Sequence, residues 1–270
     1  MNKIILLGSS GMAGSMIHNT LEDYGHKIIN YSRTKVRPDT KILDINTIHD
    51  EILKEEPFLV VNCIGRLVQQ SENNVEEAFR INSLLPIKLG ETVRRCGSAL
   101  IHLSTDCVFS GNTTNYYAEN SYPDPNNIYG VTKYTGEQCS RNGLVIRTSI
   151  IGPEIVHREY PGLFEWLLRN KEVDGWKNAL WSGVTTLELA KYIHYLIINN
   201  KLPVTGLRHL CNNDYISKHD LLHLINDIYG LKIKINTVDG THCNRFIKTN
   251  QNFGYQVPTY KKMIEEMHNV

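Results

Sequence analysis

"KIILLGSSGMAGSMI" (residues 3–17) sets an apolar run against three glycines, then changes period. "KIILLG" (3–8) reads as a buried strand. From residue 12 the apolar positions Met12, Met16, Ile17 and Leu21 recur at helical spacing, so residues 12–25 read as a helix. Between them stand Gly8, Gly11 and Gly14, spaced G-x-x-G-x-x-G. In a strand–turn–helix unit the first glycine permits the tight turn, the second lets backbone approach a pyrophosphate, and the third lets the helix pack on the strand. The helix start adds free N–H groups and the positive end of the helix dipole. Gly8, Ser10, Gly11, Met12 and Gly14 are therefore the expected seat of a dinucleotide.

The alternation continues outward. Strands are predicted at 26–32, 41–45, 58–65, 98–105 and 143–152, and helices at 49–56, 75–96 and 126–141. Strands that are nearly all apolar, separated by helices, imply an α/β fold: a Rossmann-type doubly wound parallel sheet covered on both faces. Residues 1–152 form this expected cofactor domain, and 183–208 return to it. Residues 153–182 and 209–270 form a smaller α+β substrate-binding region, with helices over 163–170, 218–230 and 259–267, a helix over 185–200 joining back, and strands at 207–212 and 232–235. The aperiodic stretch 110–127 has the length of an active-site loop.

The chain has 270 residues, a formal net charge of +1 and 41% hydrophobic residues. That balance supplies no field to recruit nucleic acid or an anionic membrane, and no apolar run approaches the ~20 residues a bilayer demands. The short apolar run at the N-terminus ends in a glycine turn rather than a cleavage site, so it reads as a strand and not a leader. The six cysteines show no C-x-x-C spacing, which suggests neither a metal site nor a disulfide framework, and a cytoplasmic, reduced protein is expected.

The end of the second strand reads on the cofactor. An NAD site places a carboxylate there for the ribose 2′-hydroxyl. "NYSRTKVR" offers Ser32 and Arg33 instead, with Lys35 and Arg37 close behind. A hydroxyl and a guanidinium suit a 2′-phosphate, so NADPH is the expected cofactor; a solvated basic loop is the plainer alternative.

"IYGVTKYTGE" (128–137) places Tyr129 and Lys133 one helical turn apart. A phenol titrates near ~10 in water, and a neighbouring ammonium lowers that value. Upstream, "LSTDCVF" puts Ser104, Thr105 and Asp106 at the carboxyl end of a strand, where open α/β sheets bind ligands.

The glycine turn, "STDCVFSG", "YGVTK" and "RTSIIG", in that order, resemble the extended short-chain dehydrogenase/reductase superfamily. Within it the chain resembles the dTDP-4-dehydrorhamnose reductase group, collinearly to about residue 200. The resemblance implies an NADPH-dependent reduction of a nucleotide-linked 4-keto-6-deoxyhexose for deoxysugar and glycan biosynthesis. Tyr129 would donate a proton to the keto oxygen, Thr105 would hydrogen-bond it, and Lys133 would hold the nicotinamide ribose. Asp44 and Ile45 match a pair beside adenine. Asn62, Cys63, Ile64 and Gly65 match the turn that passes the cofactor, and Asn82 matches an asparagine behind the site. Dimers are common in the group.

Two departures bear on substrate. Cys107 and Ile150 stand where rhamnose-forming enzymes carry a tyrosine and a tryptophan, which implies a roomier pocket, with a UDP-linked 2-acetamido sugar as one reading. Cys107 also matches a cysteine of GDP-fucose synthases, so a bifunctional epimerase/reductase is an alternative, with His157 or Lys171 as the second acid/base. An NAD-dependent 4-epimerase and a non-catalytic NADP-binding subunit complete the rivals. Asp106, Trp181 and Thr185 are further expected substrate contacts, Trp166 and Trp176 are candidates to frame the base, and His102 reads as a core histidine.

Overall fold

A computed structural model of the chain describes residues 3–251 and 253–270. Its strands are β1 (Lys3–Leu7), β2 (Lys27–Ser32), β3 (Lys41–Ile42), β4 (Leu59–Asn62), β5 (Ala99–Leu103), β6 (Leu144–Arg147), β7 (Ile150–Ile151), β8 (Glu172–Trp176), β9 (Ala179–Trp181), β10 (Val184–Thr185), β11 (Gly206–His209), β12 (Ile216–Ser217), β13 (Lys234–Val238) and β14 (Cys243–Asn244). Its helices are α1 (Met12–Asp23), α2 (Ile48–Glu55), α3 (Val68–Asn73), α4 (Val75–Phe79), α5 (Leu85–Cys96), α6 (Ile128–Gly136), α7 (Leu163–Leu168), α8 (Thr186–Ile198), α9 (Lys218–Tyr229) and α10 (Tyr260–His268).

Seven strands form one parallel sheet in the order β11-β6-β5-β4-β1-β2-β3. Alternate residues of the central strands feed two cores. Ile4, Leu6, Val61, Ile101 and Ile146 face α1 and α8 through Ile17, Leu21, Leu189 and Ile193. Ile5, Leu7, Val60, Leu100 and Val145 face α2 and α5 through Ile52, Leu89 and Val93. Both faces are buried, so the strands read as unbroken apolar runs.

The strand order reverses between β1 and β4, where such sheets open a ligand crevice. The glycine turn lies there. Gly8 has φ +87°, a conformation that favours glycine, and a Cβ on it would lie 3.2 Å from the Cys63 carbonyl carbon. A Cβ on Gly14 would lie 2.2 Å from the Gly8 oxygen, so only glycine lets α1 start this close to β1.

Several elements differ from expectation. The helix expected over 75–96 contains a wide π turn at Arg80–Leu84. That turn aims Asn82 and Ser83 at α6, where they bond Thr132 Oγ1 and the Thr132 carbonyl. The strand expected over 143–152 breaks at Thr148 and Ser149. β6 stays in the sheet and β7 leaves it to pair with β10. The third strand ends at Ile42, so Asp44 and Ile45 lie in the turn before α2. The stretch 110–127 is stitched down rather than open: Asn112 and Tyr117 bridge to Asn244 and Ile247.

The remaining elements build a second lobe. β12-β9-β14 and the β13–β8 pair pack with α7, α9 and α10 around Phe164, Leu167, Trp181, Leu222, Ile225 and Met267.

Candidate active site

Two adjoining cavities occupy the crevice. One, of about 290 Å³, is lined by Gly11, Met12, Cys63, Ile64, Gly65, Thr105, Asp106, Cys107, Tyr129, Lys133 and Ile150. The other, of about 260 Å³, is lined by Arg33, Asp44, Ile45, Ile64, Gly65 and Arg66. Ile64 and Gly65 are common to both, so one groove runs from the basic end past the glycine turn to Tyr129. Its glycine turn and its cationic end suit a dinucleotide bearing a 2′-phosphate.

Four of the expected cofactor residues act behind this groove. Ser32 is 1% exposed, and its hydroxyl is spent on Ser10 Oγ and on the N–H of Thr34. Asn62 accepts the N–H of Ile64 at 3.1 Å and faces His102 Nδ1 at 3.0 Å. Asn82 accepts from Arg66 N–H at 2.8 Å and donates to the Arg66 carbonyl and to Thr132 Oγ1. These three side chains shape the turns that line the groove. Gly14 serves packing, as described above.

Thr105, Tyr129 and Lys133 come together at the other end. The Thr105 hydroxyl accepts from Cys107 N–H at 3.1 Å and donates to Asp106 at 3.2 Å. Hydrogen bonding to Thr105 favours ionisation of Tyr129, but burial outweighs it, and with the field of Cys107 and Asp106 it drives the phenol well above its ordinary value. Lys133 Nζ donates to the Leu103 carbonyl at 2.5 Å and lies 3.4 Å from His102 Nε2. Burial lowers Lys133 itself to about 8. In this conformation lysine and tyrosine share a cleft without being an acid–base couple.

A family profile, RmlD substrate binding domain, matches residues 1–267. The chain belongs to that family. It is 23% identical over 245 residues to methionine adenosyltransferase 2 subunit beta of Bos taurus, covering 85% of this chain and 72% of that protein. It is 25% identical over 243 residues to the spore coat polysaccharide biosynthesis protein SpsK of Bacillus subtilis, covering 88% and 83%. Among solved structures, dTDP-4-dehydrorhamnose reductase of Bacillus anthracis in complex with NADP superposes with a TM-score of 0.83 at 22% identity, covering 99% of this chain and 98% of that one.

For a member of the RmlD family, the substrate end holds surprises. Trp181 does not reach the cleft. It is 6% exposed, donates to Ser149 Oγ at 2.9 Å and packs on Tyr260 in the second lobe's core. Thr185 is equally internal, its hydroxyl capping α8 by accepting from Glu188 N–H. Trp166 and Trp176 instead line a separate cavity of about 480 Å³ with Lys218 and Asn236. Cys107 lines the cleft, but burial and Asp106 push its thiol up to about 12. His157 is exposed and bonded to Arg169, and neither it nor Lys171 lines the cleft.

Sequence reasoning missed three cations. Arg66 follows the N-C-I-G turn and lines the basic end, a position readable from that turn. Arg158 lies over the glycine turn, its Nη2 3.4 Å from the Cβ position of Gly11, and pairs with Glu154 at 3.6 Å. Arg245 donates to Cys107 Sγ at 3.4 Å and to the Phe109 carbonyl at 3.0 Å. The last two come from aperiodic segments and carry no sequence signal.

Proposed function

We propose that the chain is an NADPH-dependent reductase of a nucleotide-linked 4-keto-6-deoxyhexose. The observation that carries this reading is the gathering of Thr105, Tyr129 and Lys133 in one cleft continuous with the glycine turn. When bound, the cofactor supplies hydride to the carbonyl carbon. Tyr129 supplies the proton to the oxygen; with its value raised by burial, it holds that proton at neutral pH until an alkoxide develops beside it. Thr105 turns its hydroxyl proton from Asp106 to the same oxygen and fixes the carbonyl against Tyr129. Arg33 and Arg66 take the 2′-phosphate, and Arg158 takes the pyrophosphate. The cavity between Trp166 and Trp176 suits the substrate's base. Similarity to a polysaccharide biosynthesis protein and to an NADP-bound reductase supports the same class.

The epimerising alternative needs a thiolate at Cys107 and a second acid/base. A thiol raised to about 12 and the outlying positions of His157 and Lys171 argue against it. A second reading, a non-catalytic NADP-binding subunit, draws on the likeness to the methionine adenosyltransferase subunit. NADPH oxidation, screened against 4-keto sugars on dTDP, UDP, GDP and CDP, separates the two. Turnover with one of them is expected, and Tyr129→Phe is expected to lower kcat by ~10²–10⁴-fold while NADPH still binds. NADPH binding without turnover on any of the four would favour the subunit.

A further inference from the structure

Lys133 is 3% exposed, and its amine meets a donor where a lysine normally meets acceptors. Two groups of Asn62 compete for His102: the backbone carbonyl, which draws a ring N–H, and the side-chain amide. Asn62 Oδ1 accepts the N–H of Ile64, so the NH₂ of that amide faces His102 Nδ1 at 3.0 Å. The 3.0 Å approach of that NH₂ favours an accepting Nδ1, which places the ring proton on Nε2, 3.4 Å from Lys133 Nζ. An ammonium there opposes a second donor. A neutral amine accepts from Nε2–H through its lone pair and keeps one N–H on the Leu103 carbonyl.

Cys139, Glu137 and Cys63 oppose this only in part. From the turn after α6, Glu137 is consumed by Arg147 at 2.7 Å and by Ser104 at 2.6 Å. Cys139 on the same turn and Cys63 beyond β4 are held as thiols, burial pushing both up to about 12. Tyr129, on the lysine's own helix, is held as a phenol. Burial, the largest cause, lowers Lys133 to about 8, in the same direction as the geometry.

We propose that His102 is a positioning residue that holds Lys133 as an uncharged amine in the cofactor-free protein at mildly alkaline pH, so that NADPH binding is coupled to uptake of one proton by Lys133. The proton comes from solvent. Ribose hydroxyl oxygens and phosphate anions are acceptors, and they favour the ammonium that His102 disfavours. By linkage, cofactor affinity then falls as pH rises through the lysine's titration. The proposal rests on the NADPH reading of the groove.

Calorimetric titration of the full chain with NADPH, in HEPES and in Tris, counts the protons taken up. The cofactor's 2′-phosphate is fully ionised at pH 8 and does not contribute. With Lys133 restored toward ~10.4 on binding, uptake is about half a proton at pH 8 and roughly 0.1 at pH 7. His102→Gln, whose Oε1 accepts from an ammonium, is expected to cut the uptake at pH 8 at least ~2-fold. Nitrogen-15 NMR of His102 in the free protein is expected to report the Nε2–H tautomer. Saturable binding with the same heat in both buffers at pH 8 would overturn the proposal, as would an Nδ1–H tautomer or unchanged uptake in the variant. Absence of NADPH binding would sink the cofactor reading, and this inference with it. If His102→Gln fails to fold, the wild-type titration and the tautomer decide.

Discussion

Gly130→Ala tests the active-site geometry without touching a reacting group. Gly130 follows Tyr129 on α6, and a Cβ on it would lie 2.2 Å from the Cys107 carbonyl oxygen and 2.7 Å from Pro125 Cβ. An ordinary close C···O contact is about 3.3 Å, so helix and strand end must separate by about 1 Å. The nearest obstacle is backbone, so no side-chain rotation relieves it. α6 carries Tyr129 and Lys133, and the Cys107 carbonyl belongs to the segment that carries Thr105. The displacement therefore passes directly into the distance between the proton donor and its partner hydroxyl. A misplacement of ~1 Å costs ~10²-fold in rate. Overpacking at such a site costs about 1–3 kcal/mol of stability. The expected result is kcat lowered ~100-fold, NADPH Kd within ~2-fold because other elements build the groove's phosphate end, and an earlier urea midpoint. Steady-state NADPH oxidation with the sugar identified by the screen measures the first, and fluorescence titration the second. A variant with wild-type stability and kcat within ~3-fold would refute the claim that this close approach sets the catalytic distance.

Arg158→Ala is expected to raise the NADPH Kd about tenfold at low salt, with the difference shrinking as salt is added, because the lost contact is a charge–phosphate one. Cys107→Ala is expected to keep the whole conversion, and wild-type turnover in deuterated water is expected to leave the sugar ring protons unexchanged; loss of conversion or exchange would restore the epimerase. His209 is buried and held neutral, its value lowered to about 4 mainly by burial. The unfolded chain titrates this group near ~6.5 and binds the extra proton below that, so its share of stability is present above pH 6.5 and is lost as pH falls toward 4. Urea midpoints between pH 7 and 4 should show that slope, and His209→Gln should flatten it.

What the sequence made legible was whatever is local or periodic. A strand, a glycine turn and a helix lie within residues 3–23, and burial on both faces makes the central strands read as plain apolar runs. Tyr129 and Lys133 share a helix, and Thr105 lies two residues past the end of β5, so their gathering at the crevice follows from topology. The errors fall where a side chain's partner is remote in the chain. Trp181 reads as a substrate contact because a tryptophan can frame a nucleotide base, and Thr185 because it lies where the chain returns to the first domain. Ser149 accepts the Trp181 N–H and the Thr185 hydroxyl accepts the Glu188 N–H at the start of α8, and neither bond has a sequence signal. Arg245 meets Cys107 across 138 positions. In the cofactor-free protein burial, not Lys133, dominates Tyr129. Helical spacing brings i and i+4 within reach, but reach is not contact. A flexible amine turns to the best acceptor available, and in a buried site without free anions that acceptor is the Leu103 carbonyl. On the proposed reading the cofactor's oxygens draw Lys133 off Leu103 and bring its charge to bear on the phenol, so proton transfer is expected to depend on the dinucleotide being in place.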